Sequence, residues 1–140
     1  MQRTDEIIYL AARLRDRAYT FITEELERMN VEGAPSHGAI LVALLRHQPL
    51  SLTELSQIID KKKSSTTELV DKLIRLGYVE KTTDEHDQRI KLIRLTEKSL
   101  ALKSRFAELT EKLMAKTYRG ISVEEQQQVV NLLAKIVNNF

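Results

Sequence analysis

Apolar residues recur every three or four positions from about Thr4 to Asn30. Ile7, Ala11, Leu14, Ala18, Ile22, Leu26 and Met29 make one stripe, with Arg13, Arg15, Asp16, Glu24, Glu25 and Arg28 largely off it. That spacing predicts one long amphipathic helix. Gly33 and Pro35 interrupt the pattern, and Ser36 is placed to cap a shorter helix running to about His47 through Ile40, Leu41, Ala43, Leu44 and Leu45. A rod as long as the first, with one apolar stripe, needs a long partner surface, from this chain or from a second copy of it.

After a turn at Gln48-Pro49, Ser51-Leu52-Thr53-Glu54 has the spacing of a capping box. It opens a short helix that directs Leu55, Ile58 and Ile59 inward. Asp60 to Lys63 is too polar for a core and forms a tight connection. A second helix follows from about Lys63 to Leu76, burying Leu69, Val70, Leu73 and Leu76, and Gly77 supplies its left-handed cap. Two helices joined by a few residues read as a helix-turn-helix.

The period then changes. Residues 78–82 and 89–95 are short stretches with β-branched and aromatic content, with the polar segment 83–88 between them, which predicts a hairpin. Alternation in its second strand is imperfect, since Ile90 and Leu92 oppose Ile93 and Leu95. A hairpin directly after a helix-turn-helix is a wing. Beyond Thr96 a long helix carries Leu102, Phe106, Leu109 and Leu113 and ends at Gly120. Ser122-Val123-Glu124-Glu125 is a second capping box, opening a last helix with Val129, Leu133, Ile136 and Phe140 on one face.

The predicted fold is therefore mainly α with a small β-hairpin wing: a winged helix-turn-helix over residues 35–96, plus long terminal dimerisation helices from residues 1–34 and 97–140. The two ends are expected to pack together and to bury their remaining apolar stripe against a second subunit.

Composition narrows the chemistry. The chain has 140 residues and no cysteine, which removes disulfides, thiolate metal sites and cysteine nucleophiles. Its 22 Lys and Arg against 20 Asp and Glu leave a net charge of +2, so any case for nucleic acid rests on where the charges sit. No apolar run approaches the roughly 20 residues needed to span a bilayer. The expected location is cytoplasmic. His37, His47 and His86 lack metal-ligand spacing, no glycine-rich phosphate loop occurs, and no nucleophile–base set can be assembled, so no catalytic, metal or cofactor site is expected.

The second helix of the helix-turn-helix carries the candidate chemistry. Ser64, Ser65, Thr67, Glu68, Asp71 and Lys72 lie opposite Leu69, Val70 and Leu73, with Thr66 turned inward. Lys61, Lys62 and Lys63 surround the positive helix N-terminus. Hydroxyls serve base edges or phosphates and lysines serve phosphates, whereas Glu68 and Asp71 oppose a polyanion. One of the two carboxylates would accept from a cytosine amino group, or Asp71 would pair with a nearby cation. Taken alone, the lysine run reads equally well as a solvated turn.

The chain resembles the MarR family of winged-helix transcription regulators. The resemblance is carried by Leu55-Ser56-Gln57-Ile58-Ile59, by Ser64 to Leu73, and by Leu76-Gly77-Tyr78-Val79-Glu80-Lys81. It is completed by Asp87-Gln88-Arg89 and Leu95-Thr96-Glu97-Lys98. Two positions depart from the family pattern: Ser99 stands where glycine is usual, and Glu68 occupies a groove-facing position that is often basic. The resemblance implies a homodimeric repressor on an inverted-repeat operator in double-stranded DNA. It also implies that Arg89, oriented by Asp87, enters the minor groove. Spacing alone fits an ordinary hairpin ion pair equally well. A small aromatic effector is likewise implied, bound between the dimer helices and the winged unit, where Tyr9, Tyr19, Phe21, His37 and Phe106 are the candidate lining. The rivals are a winged-helix protein-interaction module without DNA binding and a passive small-molecule carrier.

Overall fold

The computed structural model describes residues 1–31 and 35–140, and the side chains of Pro35 and Ser36 are outside that description. The stop signal at Gly33 and the Ser36 cap therefore lie outside the described residues. A 3-10 turn, Thr4–Glu6, leads into α1, Ile7–Arg28, followed by α2, Pro35–His47. A two-residue strand β1, Leu50–Ser51, precedes α3, Leu52–Ile58, and α4, Lys63–Arg75. The wing comprises β2, Val79–Thr83, and β3, Lys91–Leu95. The chain closes with α5, Glu97–Leu100, α6, Lys103–Thr117, and α7, Val123–Asn138.

Both predicted capping boxes form. Ser51 accepts from the Glu54 amide while the Glu54 carboxylate accepts from the Ser51 amide, and Ser122 and Glu125 do the same at α7. Gly77 sits at φ +81°, the left-handed conformation that ends α4 without the steric cost a Cβ would bring.

The sheet has three strands, ordered β1-β3-β2 and antiparallel throughout, rather than the two predicted. Leu50 pairs with Ile93, and Val79 with Leu95. This pairing resolves the imperfect alternation: Ile93 and Leu95 point into the core, whereas Ile90 precedes the strand and is exposed. β3 consequently starts at Lys91, which leaves Arg89 in the wing turn.

One apolar core joins the winged unit to the terminal helices. Ile40, Leu41 and Leu44 of α2, Leu55 of α3, and Val70 and Leu73 of α4 meet Val79, Ile93 and Leu95 of the sheet. Leu26 of α1 and Phe106 and Leu109 of α6 close it. Three expectations need correction. Ile58, predicted inward, is 50% exposed because α3 ends there, beyond the last core-facing turn. Leu69 and Leu76 are only partly buried, at the margin of the core. The helix after Thr96 is interrupted at Ala101–Leu102 and divides into α5 and α6.

The chain's two ends behave differently. The C-terminal part of α1 packs on α6, and Glu25, buried between them, pairs with Arg28 and with Lys112 at 3.3 Å. The N-terminal part of α1 leaves Ile7, Ile8 and Leu14 exposed. Helix α7 buries no residue at all, and Val129, Val130, Leu132, Leu133 and Val137 remain open. The expected packing of the two ends on one another is thus limited to α1 with α6. No helix among the described residues is long and apolar enough to cross a membrane.

Candidate nucleic-acid interface

Helix α4 is anchored by Thr66, Val70 and Leu73, all buried, and presents Ser64, Ser65, Glu68 and Lys72 as exposed residues. Thr67 is half-buried, and its hydroxyl donates to the Lys63 carbonyl at 2.8 Å. Thr66 likewise donates to Lys62 at 2.9 Å. No side chain caps the α4 N-terminus, in contrast to α3 and α7. Lys61, Lys62 and Lys63 surround that end, all exposed and without an ion pair among the described residues. Uncapped amides with a positive dipole end and three cations form an environment suited to phosphate. Asp71 is neutralised from the wing, Lys81 Nζ standing 3.8 Å from its Oδ1. That pairing takes up one of the two alternatives open for Asp71.

The wing turn is held by two aspartates. Asp84 Oδ1 accepts from the amides of His86, at 2.7 Å, and Asp87, at 3.1 Å, fixing the turn. Asp87 then grips Arg89 three times: Oδ1 accepts from the Arg89 amide at 3.0 Å and from Nε at 3.1 Å, and Oδ2 accepts from Nη2 at 3.3 Å. The guanidinium side-chain and backbone bonds together hold the Asp87 carboxyl below the usual aspartate range. Arg89 itself is 92% exposed. A cation on a fixed stalk, free of burial, results.

The orientation of α4 is set by residues that follow the wing. Lys98 Nζ donates to the Leu76 carbonyl at 2.8 Å and lies 4.5 Å from the centre of the Tyr78 ring. Thr96 Oγ1 donates to the Gly77 carbonyl at 2.6 Å, and Ser99 Oγ donates to the Tyr78 carbonyl at 2.5 Å. Thr96 is the N-cap of α5, yet its hydroxyl is spent on the end of α4. The Leu-Thr-x-x stretch therefore clamps the α4 C-terminus to the start of the terminal helices. Sequence reasoning placed these residues in a motif but not in this contact.

A cleft of about 480 Å³ lies between α1, α2, α3 and α6. Tyr19, Ile22, Val42, Ile58, Ile59, Phe106, Leu109 and Leu113 form its walls, with Arg46, His47 and Thr110 as polar members. Of the five residues expected around an effector, Tyr19 and Phe106 are on its lining. Tyr9, Phe21 and His37 are not: Tyr9 is 62% exposed beneath Arg13, and Phe21 faces Lys116 across the α1–α6 junction. Arg46 and His47 were missed because only the tertiary fold brings the end of α2 against α1 and α6. Among the described residues, no three His, Asp or Glu side chains converge on a metal-sized site.

A buried three-helix unit with a two-stranded tip and a clamped, outward-facing second helix defines the winged helix-turn-helix class. Residues 34–90 match the MarR family model. That match spans the winged-helix segment, 57 of the chain's 140 residues. Solved structures share the whole architecture. The S. aureus MepR–DNA complex aligns over all of both chains at 20% identity with a TM-score of 0.86. A mutant of E. coli MarR complexed with operator DNA aligns at 18% identity and TM-score 0.80, covering 96% of this chain and 99% of that one. Bordetella bronchiseptica BpsR, whose DNA binding is regulated by 6-hydroxynicotinic acid, aligns at 18% and 0.81, covering 98% and 96%.

Proposed function

We propose that this chain is a DNA-binding transcription regulator that acts as a homodimeric repressor on an inverted-repeat operator. The observation that carries the reading is the pairing of two exposed devices on one rigid core. One is the hydroxyl- and lysine-bearing face of α4; the other is Arg89, 92% exposed and held by Asp87. An interaction module that never meets nucleic acid has no use for a cation so held. In each subunit α4 enters a major groove and the Arg89 tip enters the flanking minor groove, where negative potential concentrates. The MepR and MarR complexes with DNA support this docking by fold.

The second subunit covers the apolar surface of the N-terminal part of α1 and of α7. A lone protomer rarely leaves so many large apolar side chains in water. Two-fold symmetry then sets half-sites about one helical turn apart. The cleft beside α2 suits a small aromatic acid. Tyr19 and Phe106 offer ring contacts, and at the end of α2 Arg46 offers a charge-assisted donor and His47 a ring nitrogen. Because α1 and α6 form two of its walls and Ile58 and Ile59 of α3 another, filling it moves the helix-turn-helix against the dimer helices, with a coupling of about 1–3 kcal/mol.

Titration of duplex DNA at two salt concentrations tests the reading. Binding that weakens steeply with salt, and that selects a two-fold symmetric sequence from a random pool, is expected. Absence of binding at both concentrations, or uptake of an aromatic acid with no DNA binding, overturns it.

A further inference from the structure

Among the described residues, Glu68 is the one on the α4 face whose charge opposes DNA and meets no cation. Thr66, Val70 and Leu73 are buried and mark the core side of the helix. Glu68 follows Thr66 by two residues, about 200° around the helix, so it points almost directly away from the core. Ser64 and Ser65 lie one turn before it, and Asp71 and Lys72 one turn after. It is therefore the central residue of the exposed face. Asp71 has Lys81 at 3.8 Å, whereas Glu68 makes no side-chain hydrogen bond or ion pair among the described residues.

A carboxylate carried into a groove meets phosphates it cannot bond, because it only accepts hydrogen bonds. The donors within reach of such a side chain on the major-groove floor are the cytosine N4 and adenine N6 amino groups. Adenine presents its N7 acceptor beside N6, which repels the second carboxylate oxygen. Cytosine has no acceptor on that side. Guanine and thymine offer only acceptors, so every base but cytosine leaves Glu68 desolvated and opposed. We propose that Glu68 accepts from a cytosine amino group once in each half-site and fixes the base at that position. The inference rests on the DNA-binding reading above and adds a specificity-determining residue to it.

The test compares sequences selected from random duplexes by the full-length wild-type protein and by E68Q, with circular dichroism confirming that the exposed substitution leaves the fold intact. Wild type is expected to hold cytosine at one position per half-site. Replacing that cytosine by thymine should weaken wild-type binding roughly 10- to 100-fold. E68Q should shift the same position toward adenine, which glutamine reads through N6 and N7, while all other positions stay as they were. A wild-type operator recovered unchanged by E68Q, or an equal affinity change on every sequence, overturns the Glu68 assignment alone. A wild-type protein that enriches no sequence overturns the DNA-binding reading and this inference together.

Discussion

Replacing Ser99 by alanine probes the clamp that orients the α4 helix. Ser99 is 1% exposed, and its hydroxyl donates to the Tyr78 carbonyl at 2.5 Å. That carbonyl also accepts from the Thr96 amide at 3.1 Å, so the substitution removes a hydrogen bond without orphaning the acceptor. The lost bond costs about 1 kcal/mol. Alanine's better helix propensity within α5 returns about 0.5 kcal/mol of it, leaving a net destabilisation of roughly 0.5–1 kcal/mol. Glycine gives no such return, so S99G should be less stable than S99A by about 1 kcal/mol. Urea unfolding at fixed protein concentration, with unchanged slope, reads both numbers. Hydrogen exchange at the last turn of α4 should quicken in both variants. S99A as stable as wild type, with unchanged exchange at the last turn of α4, would refute the clamp. A loss above about 3 kcal/mol would mean that the carbonyl had been left unpaired.

Three further outcomes are expected. R89A should weaken operator binding by on the order of tenfold or more at moderate salt, with thermal stability and oligomeric state unchanged, as read by fluorescence anisotropy and light scattering. Asp87 has a lowered carboxyl pKa, so its contribution to wing order is complete above the ordinary aspartate range and is lost only as pH falls through the lowered value. An NMR titration should place the Asp87 carboxyl midpoint below that of a free aspartate and move it part of the way back in R89A, which loses the guanidinium bonds but keeps the bond from the backbone amide. L133E, on exposed α7, should shift the protein from dimer to monomer in sedimentation velocity, because it puts a charge into the apolar face assigned to the proposed dimer contact.

Elements with many residues of one period were readable in advance, and long-range pairings were not. The stripe from Ile7 to Met29, the Ser51–Glu54 and Ser122–Glu125 boxes and the Gly77 cap each have a local physical cause, and each is found. Strand β1 was missed because two residues carry no periodicity; its existence depends on Ile93 and Leu92, some 40 residues later. The break at Ala101–Leu102 was hidden because Leu102 continues the apolar stripe of α6. What fixes the break is Ser99 and Thr96 reaching back to residues 77 and 78. The face of α4 was legible, since an exposed stripe opposite a buried one needs only helical geometry. The cleft was half legible: aromatic residues could be named, but Arg46 and His47 join Tyr19 and Phe106 only through packing of four helices. Helix α7 shows the same limit in reverse, for its stripe was clear while nothing among the described residues buries it.

The central claim is that the Arg89 tip lies in the minor groove beside each half-site. The chain has no cysteine, so a single cysteine at Gln88 carries one iron chelate per subunit to that place. Radical cleavage of the selected operator should give two clusters placed symmetrically about its centre, one flanking each half-site, and both should disappear when salt dissociates the complex. Cleavage spread evenly along the duplex, or a single cluster without a symmetric mate, would contradict the account.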